Sequence, residues 1–337
     1  MKYVFLCWLV LASSVGVAGG NVFKIAFGSC AKQNKPQTIW DEIDAQAPDA
    51  FLFIGDNIYA DTRNMDEMWR RYQQLGAQPS FAAFRQKRRL FATWDDHDYG
   101  ENDAGVEYPR KRESQGLFFK FWGRADPATK SREGVYQSAL LHEKGLKVQL
   151  ILLDTRYHRS NKQKRAAVGF LANTDPRATV LGEQQWAWLA AELRKSADVR
   201  ILASSIQFLS DDHHFEKWGN FPKERQKMLR LIADTKANGV VFISGDRHSG
   251  EISKLPAGWI NYDLYDFTSS GLTNPTIKTL RHERNDLRLV KTNAHNIRNF
   301  GVIKVTKIKR GVKLILELLD YKSRILESTS FVLYSKL

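Results

Sequence analysis

One pattern recurs along this chain and restricts its fold more than any other: a short apolar run that stops abruptly at a small or acidic residue. Residues 22–27 run into Gly28-Ser29-Cys30, residues 49–54 into Gly55-Asp56, and residues 89–94 into Asp95. Residues 148–153 run into Asp154, 199–204 lead to Gln207, and 239–244 to Asp246. Continuous apolar runs of this length fit strands covered on both faces. Between them lie stretches with helical spacing, at 37–46 through Ile39, Trp40 and Ile43, at 181–195, and at 222–236, where Pro222 suits a first helical turn. Strand, polar tip and helix in repetition predict an α/β fold, in which ligands bind beyond the carboxyl ends of the strands. Two antiparallel elements look appended: a hairpin over 134–153 turning at Glu143-Lys144-Gly145, and a pair over 301–319 turning at Arg310-Gly311. No Pro, Gly or Ser-rich linker and no fixed-period repeat divides the chain, which reads as one domain.

The amino terminus carries a different signal. Lys2, an apolar run from residue 3 to 12 and a small-residue zone ending near Ala18 have the order of a secretory signal peptide over 1–18, leaving 19–337 as the mature domain. The run is well short of the ~20 apolar residues that span a bilayer, and no later segment reaches that length, so no transmembrane segment is expected. Export would remove Cys7, one of two cysteines, and leave Cys30 alone. A lone thiol in an oxidising compartment is either buried and inert or held by other chemistry.

Length and composition exclude extremes. At 337 residues with 43% apolar and 26% charged side chains, the chain is neither disordered nor fibrous. Lys and Arg outnumber Asp and Glu by 51 to 37, a formal charge of +14 with a pI near 9.6, which suits a phosphate-bearing partner. Basic clusters at 87–89, 110–112 and 162–165 read, taken singly, as solvated surface.

The tips carry the chemistry. They hold Ser29 and Cys30; Asp56, Asn57, Tyr59 and Asp61; Asp95, Asp96, His97 and Asp98; Ser205 and Gln207; and Asp246, Arg247 and His248. A lone Asp after a strand is commonly a cap or turn residue, and a lone His a satisfied structural one. Five such tips meeting at one end of a sheet would bury unpaired charge at several kcal/mol each, a cost that cations would remove. A carboxylate such as Asp56 can bridge two ions about 3.5–4 Å apart, the arrangement suited to in-line displacement at phosphorus.

Gly28-Ser29-Cys30, Gly55-Asp56-x-x-Tyr59, Trp94-Asp95-Asp96-His97-Asp98 and Gly245-Asp246-x-His248 resemble, in order, the motif series of PhoD-like alkaline phosphatases, a metallophosphoesterase branch related to purple acid phosphatases. Leu153-Asp154-Thr155-Arg156, the stretch from Ser205 through Trp218 to Arg225, and Thr268-Ser269-Ser270-Gly271-Leu272-Thr273 fit the same family, so the resemblance covers roughly residues 27–273. It implies a four-layer αββα sandwich in one domain, with a dinuclear centre. One ion, Fe³⁺, would take Cys30, Asp56, Tyr59 and His248; the other, Ca²⁺, would take Asp56, Asp96, Gln207 and Asp246. Zn²⁺ or Mn²⁺ are the alternatives. Donor softness agrees in part, thiolate, phenolate and imidazole suiting iron and carboxylate or amide oxygens a hard ion. The nucleophile would be a metal-bound hydroxide, His97 the acid or transition-state stabiliser, and Arg156 the clamp on phosphate oxygens, with Arg159 a further phosphate ligand. Asn57 and Asp61 are supporting or turn residues on this reading, and Arg247, His213 and His214 candidates for the substrate mouth. Where relatives read Asp-x-Arg-x-Tyr-Arg, this chain reads Asp154-Thr155-Arg156-Tyr157-His158-Arg159.

The function expected is therefore a secreted or periplasmic metal-dependent hydrolase of phosphate esters, a monoesterase, a phosphodiesterase or both. A non-catalytic lipid- or polyanion-binding protein on the same scaffold is the alternative. A nuclease is a further one, weakened because no aromatic-interleaved basic stripe is present and no obligate nucleic-acid partner is called for.

Overall fold

A computed structural model describes residues 21–123, 127–164, 169–258, 260–276, 283–291 and 294–334. The expected signal peptide, 1–18, lies outside the described residues, among which no helix is long and apolar enough to cross a membrane.

The chain begins with β1 (Val22–Gly28), α1 (Ile39–Ala45), β2 (Ala50–Ile54), α2 (Met65–Gly76), α3 (Pro79–Lys87), β3 (Arg89–Thr93), α4 (Asp96–Tyr99) and α5 (Lys111–Trp122). It continues with β4 (Gln137–Glu143), β5 (Leu146–Leu152), the short β6 (Gln163–Lys164) and β7 (Phe170–Leu171), α6 (Gly182–Leu193), β8 (Val199–Ser204), α7 (Pro222–Asp234) and β9 (Val240–Ser244). The last five strands are β10 (Gly250–Leu255), β11 (Leu264–Ser269), β12 (Asn299–Ile308), β13 (Gly311–Asp320) and β14 (Ile325–Tyr334). The six strands expected from apolar runs are all present, and those at β2, β8 and β9 are buried at every residue.

Two six-stranded sheets form, ordered β14-β13-β12-β1-β2-β3 and β10-β11-β9-β8-β5-β4. Within them β1, β2 and β3 run parallel, as do β5, β8, β9 and β11. Phe23, Ile25, Phe27, Leu52 and Ile54 from the first sheet meet Leu150, Ile201, Val241 and Ile243 from the second in one inter-sheet core. A second cluster packs the outer face of the first sheet against Trp40, Met68, Tyr72, Phe81 and Phe118 of α1, α2, α3 and α5. A third packs the second sheet against Trp186, Leu189, Met228 and Ile232 of α6 and α7. The layers are thus αββα.

The structure corrects two expectations. The carboxyl-terminal hairpin is not an appendage: β12 pairs antiparallel with β1 from Val22↔Thr306 to Phe27↔Gly301 and completes the centre of the first sheet. Gly301 is required there, since a Cβ would lie 2.2 Å from the Phe27 ring. Likewise β5 closes its hairpin with β4 and also runs parallel to β8, inside the second sheet. Helices α2, α3 and α5 carry no strong sequence signal, although the Asn64 side chain caps α2 by accepting from the amides of Asp66 and Glu67.

Candidate metal centre

The parallel strands bring their carboxyl ends to one edge of both sheets, and the backbone there is unusual. Cys30, Asp56, Asp61, Asp246 and His248 all adopt positive φ, between 46° and 64°. Left-handed conformation in non-glycine residues clusters where surrounding structure holds a functional side chain in place. Gly55, at φ 109°, allows the β2 tip to pass within van der Waals reach of the β3 tip, because a Cβ would sit 2.6 Å from that of Asp95.

The expected donors converge. Cys30 Sγ lies 3.2 Å from Asp56 Oδ2, and Tyr59 Oη is 3.3 Å from that oxygen and 3.3 Å from His248 Nε2. Metal-type donor atoms of Cys30, Asp56 and His248 lie within 4.8 Å of one another, as do those of Asp56, Asp95, Asp96 and Asp246, with Asp56 common to both groups. Asp56 Oδ1 and Gln207 Oε1 are buried acceptors without a hydrogen-bond partner. The Gln207 amide is held in one orientation, its Nε2 donating to Glu251 Oε1 at 2.7 Å and Thr268 Oγ1 at 2.8 Å, so the orphan oxygen is the end left free.

The electrostatics point the same way. Burial pushes the Cys30 thiol up to about 11 and the Tyr59 phenol well above its usual range. Burial, together with the Cys30 and Asp95 charges respectively, raises Asp56 well above the carboxylate range and Asp246 to about 8. Without cations these groups would hold protons, and cations reverse that preference. Orphan acceptors and crowded acids of this kind fit bound metal ions.

Asp95, which the sequence marks at the β3 tip without giving it a role, is a further participant. Its Oδ1 accepts from Arg156 Nε at 2.6 Å and Ser205 Oγ at 2.5 Å, and its Oδ2 is another buried orphan. Burial raises its carboxyl to about 7, Arg156 opposing. Asp96 is held below the usual carboxylate range because Arg156 and His97 outweigh its burial.

The three arginines divide. Arg156 and Arg159 are fully buried and do not line the cavity, against the expectation that they clamp phosphate. Arg156 bridges Asp95 to Glu216, with Nη1 2.6 Å from Glu216 Oε2, and Arg159 Nε lies 3.0 Å from Glu216 Oε1. Lys162, expected on a solvated surface, is buried too, 2.8 Å from Glu216 and 2.5 Å from Asp103. Their high desolvation cost ties these buried cations to acids, and Glu216 is the one acid that all three share. No sequence signal marks Glu216, whose partners lie more than 50 residues away. Arg247 does line the cavity, with Nη2 bound to both Glu283 oxygens at 2.6 and 2.7 Å.

The cavity over the centre has a volume of about 440 Å³, and Asp96, His97, Asp246 and His248 form part of its wall. His97 Nδ1 is 2.7 Å from Asp61 Oδ1, which makes Asp61 the orienting partner of the imidazole. Burial alone would lower the His97 pKa, but Asp56, Asp61 and Asp96 push it up to about 11. Asn57 faces inward, its Nδ2 tying the β2 tip to Thr93 O and Asp98 Oδ2. His213 is buried with its imidazole driven well below the usual range by burial and Arg247, and neither it nor His214 lines the cavity; the next two residues, Phe215 and Glu216, do.

An αββα sandwich with this donor set beyond its parallel strand ends defines the metallophosphoesterase class. Residues 25–310 match the family model for PhoD-like phosphatases, and the chain belongs to that family. A curated relative, alkaline phosphatase D of Bacillus subtilis (strain 168), is 24% identical over 284 residues, covering 70% of this chain and 48% of that protein, so the chain spans about half its length. Among solved structures, one of PhoD aligns with TM-score 0.72 and 18% identity over 93% of this chain and 68% of the other. GAP50, the anchor in the inner membrane complex of Plasmodium, aligns with TM-score 0.60 and 12% identity over 94% and 90% of the two chains. A dimetal phosphatase from Danio rerio aligns with TM-score 0.52 and 13% identity over 93% and 99%. At these identities the structural likenesses establish the fold.

Proposed function

We propose that this chain hydrolyses phosphoric esters, mono- or diesters or both, at a two-cation centre, and that it acts outside the cytoplasm as a 19–337 domain after loss of residues 1–18. The observation that carries the reading is the pair of buried orphan acceptors, Asp56 Oδ1 and Gln207 Oε1, within a converging donor set under an open cavity. The name of the Bacillus subtilis relative, alkaline phosphatase D, supports it. The fold alone would not, because it is shared with a protein described as an anchor.

Cys30, Asp56, Tyr59 and His248 would hold one ion, Fe³⁺ on donor softness, and Asp56, Asp96, Gln207 and Asp246 the other, Ca²⁺, with Zn²⁺ or Mn²⁺ as alternatives. Bound cations supply Lewis-acid activation of water and neutralise phosphate oxygens. The protein's own side chains do the rest. Asp61 holds His97 at Nδ1, which leaves Nε2 to give its proton to the departing ester oxygen. Arg247, fixed by Glu283 at the cavity wall, offers charge to the substrate. Arg156, itself buried, pairs with Asp95 and Glu216 at the edge of the site and is a positioning residue.

The test is turnover of p-nitrophenyl phosphate and bis-p-nitrophenyl phosphate with and without chelator, alongside metal analysis. Iron held by Tyr59 and Cys30 would colour the protein, and Cys30→Ala should bleach or shift the band. Colourless, iron-free, active protein would point to zinc or manganese instead; no turnover in any metal condition would sink the hydrolase reading.

A further inference from the structure

The cavity over the centre is not polar throughout. Phe170 and Phe215 line it together with Asp96, His97, Asp246 and His248. Phe215 is 48% exposed, a large apolar side chain left open to solvent at the rim of an otherwise charged site. Exposed aromatic area of this kind is recovered when a ligand covers it.

Both rings are also braced. The Arg247 guanidinium lies 4.4 Å from the Phe215 centroid, and Lys162 Nζ 4.0 Å from that of Phe170. Neither cation is free to leave. The Arg247 side chain is 4% exposed and bound to Glu283, and the Lys162 side chain is 4% exposed and bound to Asp103 and Glu216. Each ring therefore has a buried, pinned cation against it, a geometry that fixes the ring at little further entropy cost on binding. A cation against a ring draws density from its π face, which favours stacking of an electron-rich planar group over an alkyl chain. At about 440 Å³ the cavity has the size of small-molecule sites and exceeds the needs of a phosphate group alone.

We propose that Phe215, supported by Phe170, is a stacking platform that selects phosphate esters whose alcohol carries a planar aromatic ring, of which nucleotides are the representative class. This rests on the phosphoester-hydrolase reading and names the substrate class for the same site. Phosphate would lie over the metal donors while the ring covers Phe215. The reaction is ordinary hydrolysis: water adds to phosphorus, the P–O bond to the alcohol breaks, and the alcohol leaves protonated.

Adenosine 5′-monophosphate and ribose 5-phosphate test it, since they present the same leaving oxygen and differ in the base. Stacking of a base on an aromatic side chain predicts a preference of roughly fivefold to 150-fold in kcat/KM for the nucleotide. Phe215→Ala should bring the ratio within about twofold of unity, and Phe215→Trp should keep it. Because the ratio is taken within each protein, partial loss of folding or of metal does not imitate the result. Octyl phosphate is the control for an aliphatic site. A wild-type ratio near one, an unchanged ratio in Phe215→Ala, or a preference for octyl phosphate over the nucleotide would overturn the proposal. If no ester is turned over, the hydrolase reading fails on its own, and calorimetric binding of the same pair still decides the platform: fivefold tighter binding of the nucleotide supports it, and equal binding refutes it.

Discussion

Glu216 is the buried acid on which three cations depend, and replacing it by glutamine tests whether that cluster is the frame of the site. Its side chain is 1% exposed, 2.6 Å from Arg156, 3.0 Å from Arg159 and 2.8 Å from Lys162. Burial would raise its carboxyl, but the charges of Arg156, Arg159 and Lys162 overcome that and lower it from 4.5 to about 2. That drop corresponds to roughly 3 kcal/mol of stability at pH 7, in line with the ~3–5 kcal/mol lost when one partner of a buried pair is removed. A depressed acid contributes fully above its unfolded pKa and loses the contribution as pH falls through the folded one. The advantage of wild type over Glu216→Gln should therefore be about 3 kcal/mol at pH 7 and shrink to about 2 kcal/mol at pH 3.5. Urea unfolding followed by tryptophan fluorescence at both pH values, with identical metal concentrations, measures the difference; metal effects common to both proteins cancel. A loss under about 1 kcal/mol at pH 7, or one that does not shrink in acid, would refute the account.

Two further substitutions probe the supports of the reacting groups. Asp61→Asn removes the anionic partner 2.7 Å from His97 Nδ1, so kcat should fall about 10- to 100-fold on phenyl phosphate, which needs a proton on its leaving oxygen, and less on p-nitrophenyl phosphate; equal losses on both esters would remove Asp61 from that role. Glu251→Ala removes one of the two acceptors that orient the Gln207 amide, and calcium affinity measured by calorimetry should weaken about 10- to 100-fold, an unchanged affinity arguing against Gln207 as a ligand held by Glu251.

Much of the fold was legible because its strands are buried on both faces and so advertise themselves as unbroken apolar runs, as at Ala50–Ile54 and Val240–Ser244. The helices α2 and α5 were not, since their apolar residues are interspersed with charge and their packing on the first sheet is long-range. The carboxyl-terminal hairpin was recognised as a hairpin and misjudged as an addition. Its turn is local, whereas its pairing with β1 joins Phe27 to Gly301, a contact no window of sequence contains.

At the site, the sequence by itself placed thiol, phenol, carboxylate, amide and imidazole groups at the strand ends where the apolar runs stop; that Cys30, Asp56, Tyr59, Asp96, His97, Gln207, Asp246 and His248 are the ones that act is what the family resemblance implies. A donor's position relative to its own strand is a local property, and parallel strands carry their ends to a common edge. The partner of each charge was a tertiary decision. Arg156, Arg159 and Lys162 resemble substrate ligands or surface cations in the sequence, and the folded chain turns them inward on Glu216 while leaving Arg247 and Phe215 at the cavity. A buried cation must find an acid in space, and only packing determines which acid is within reach.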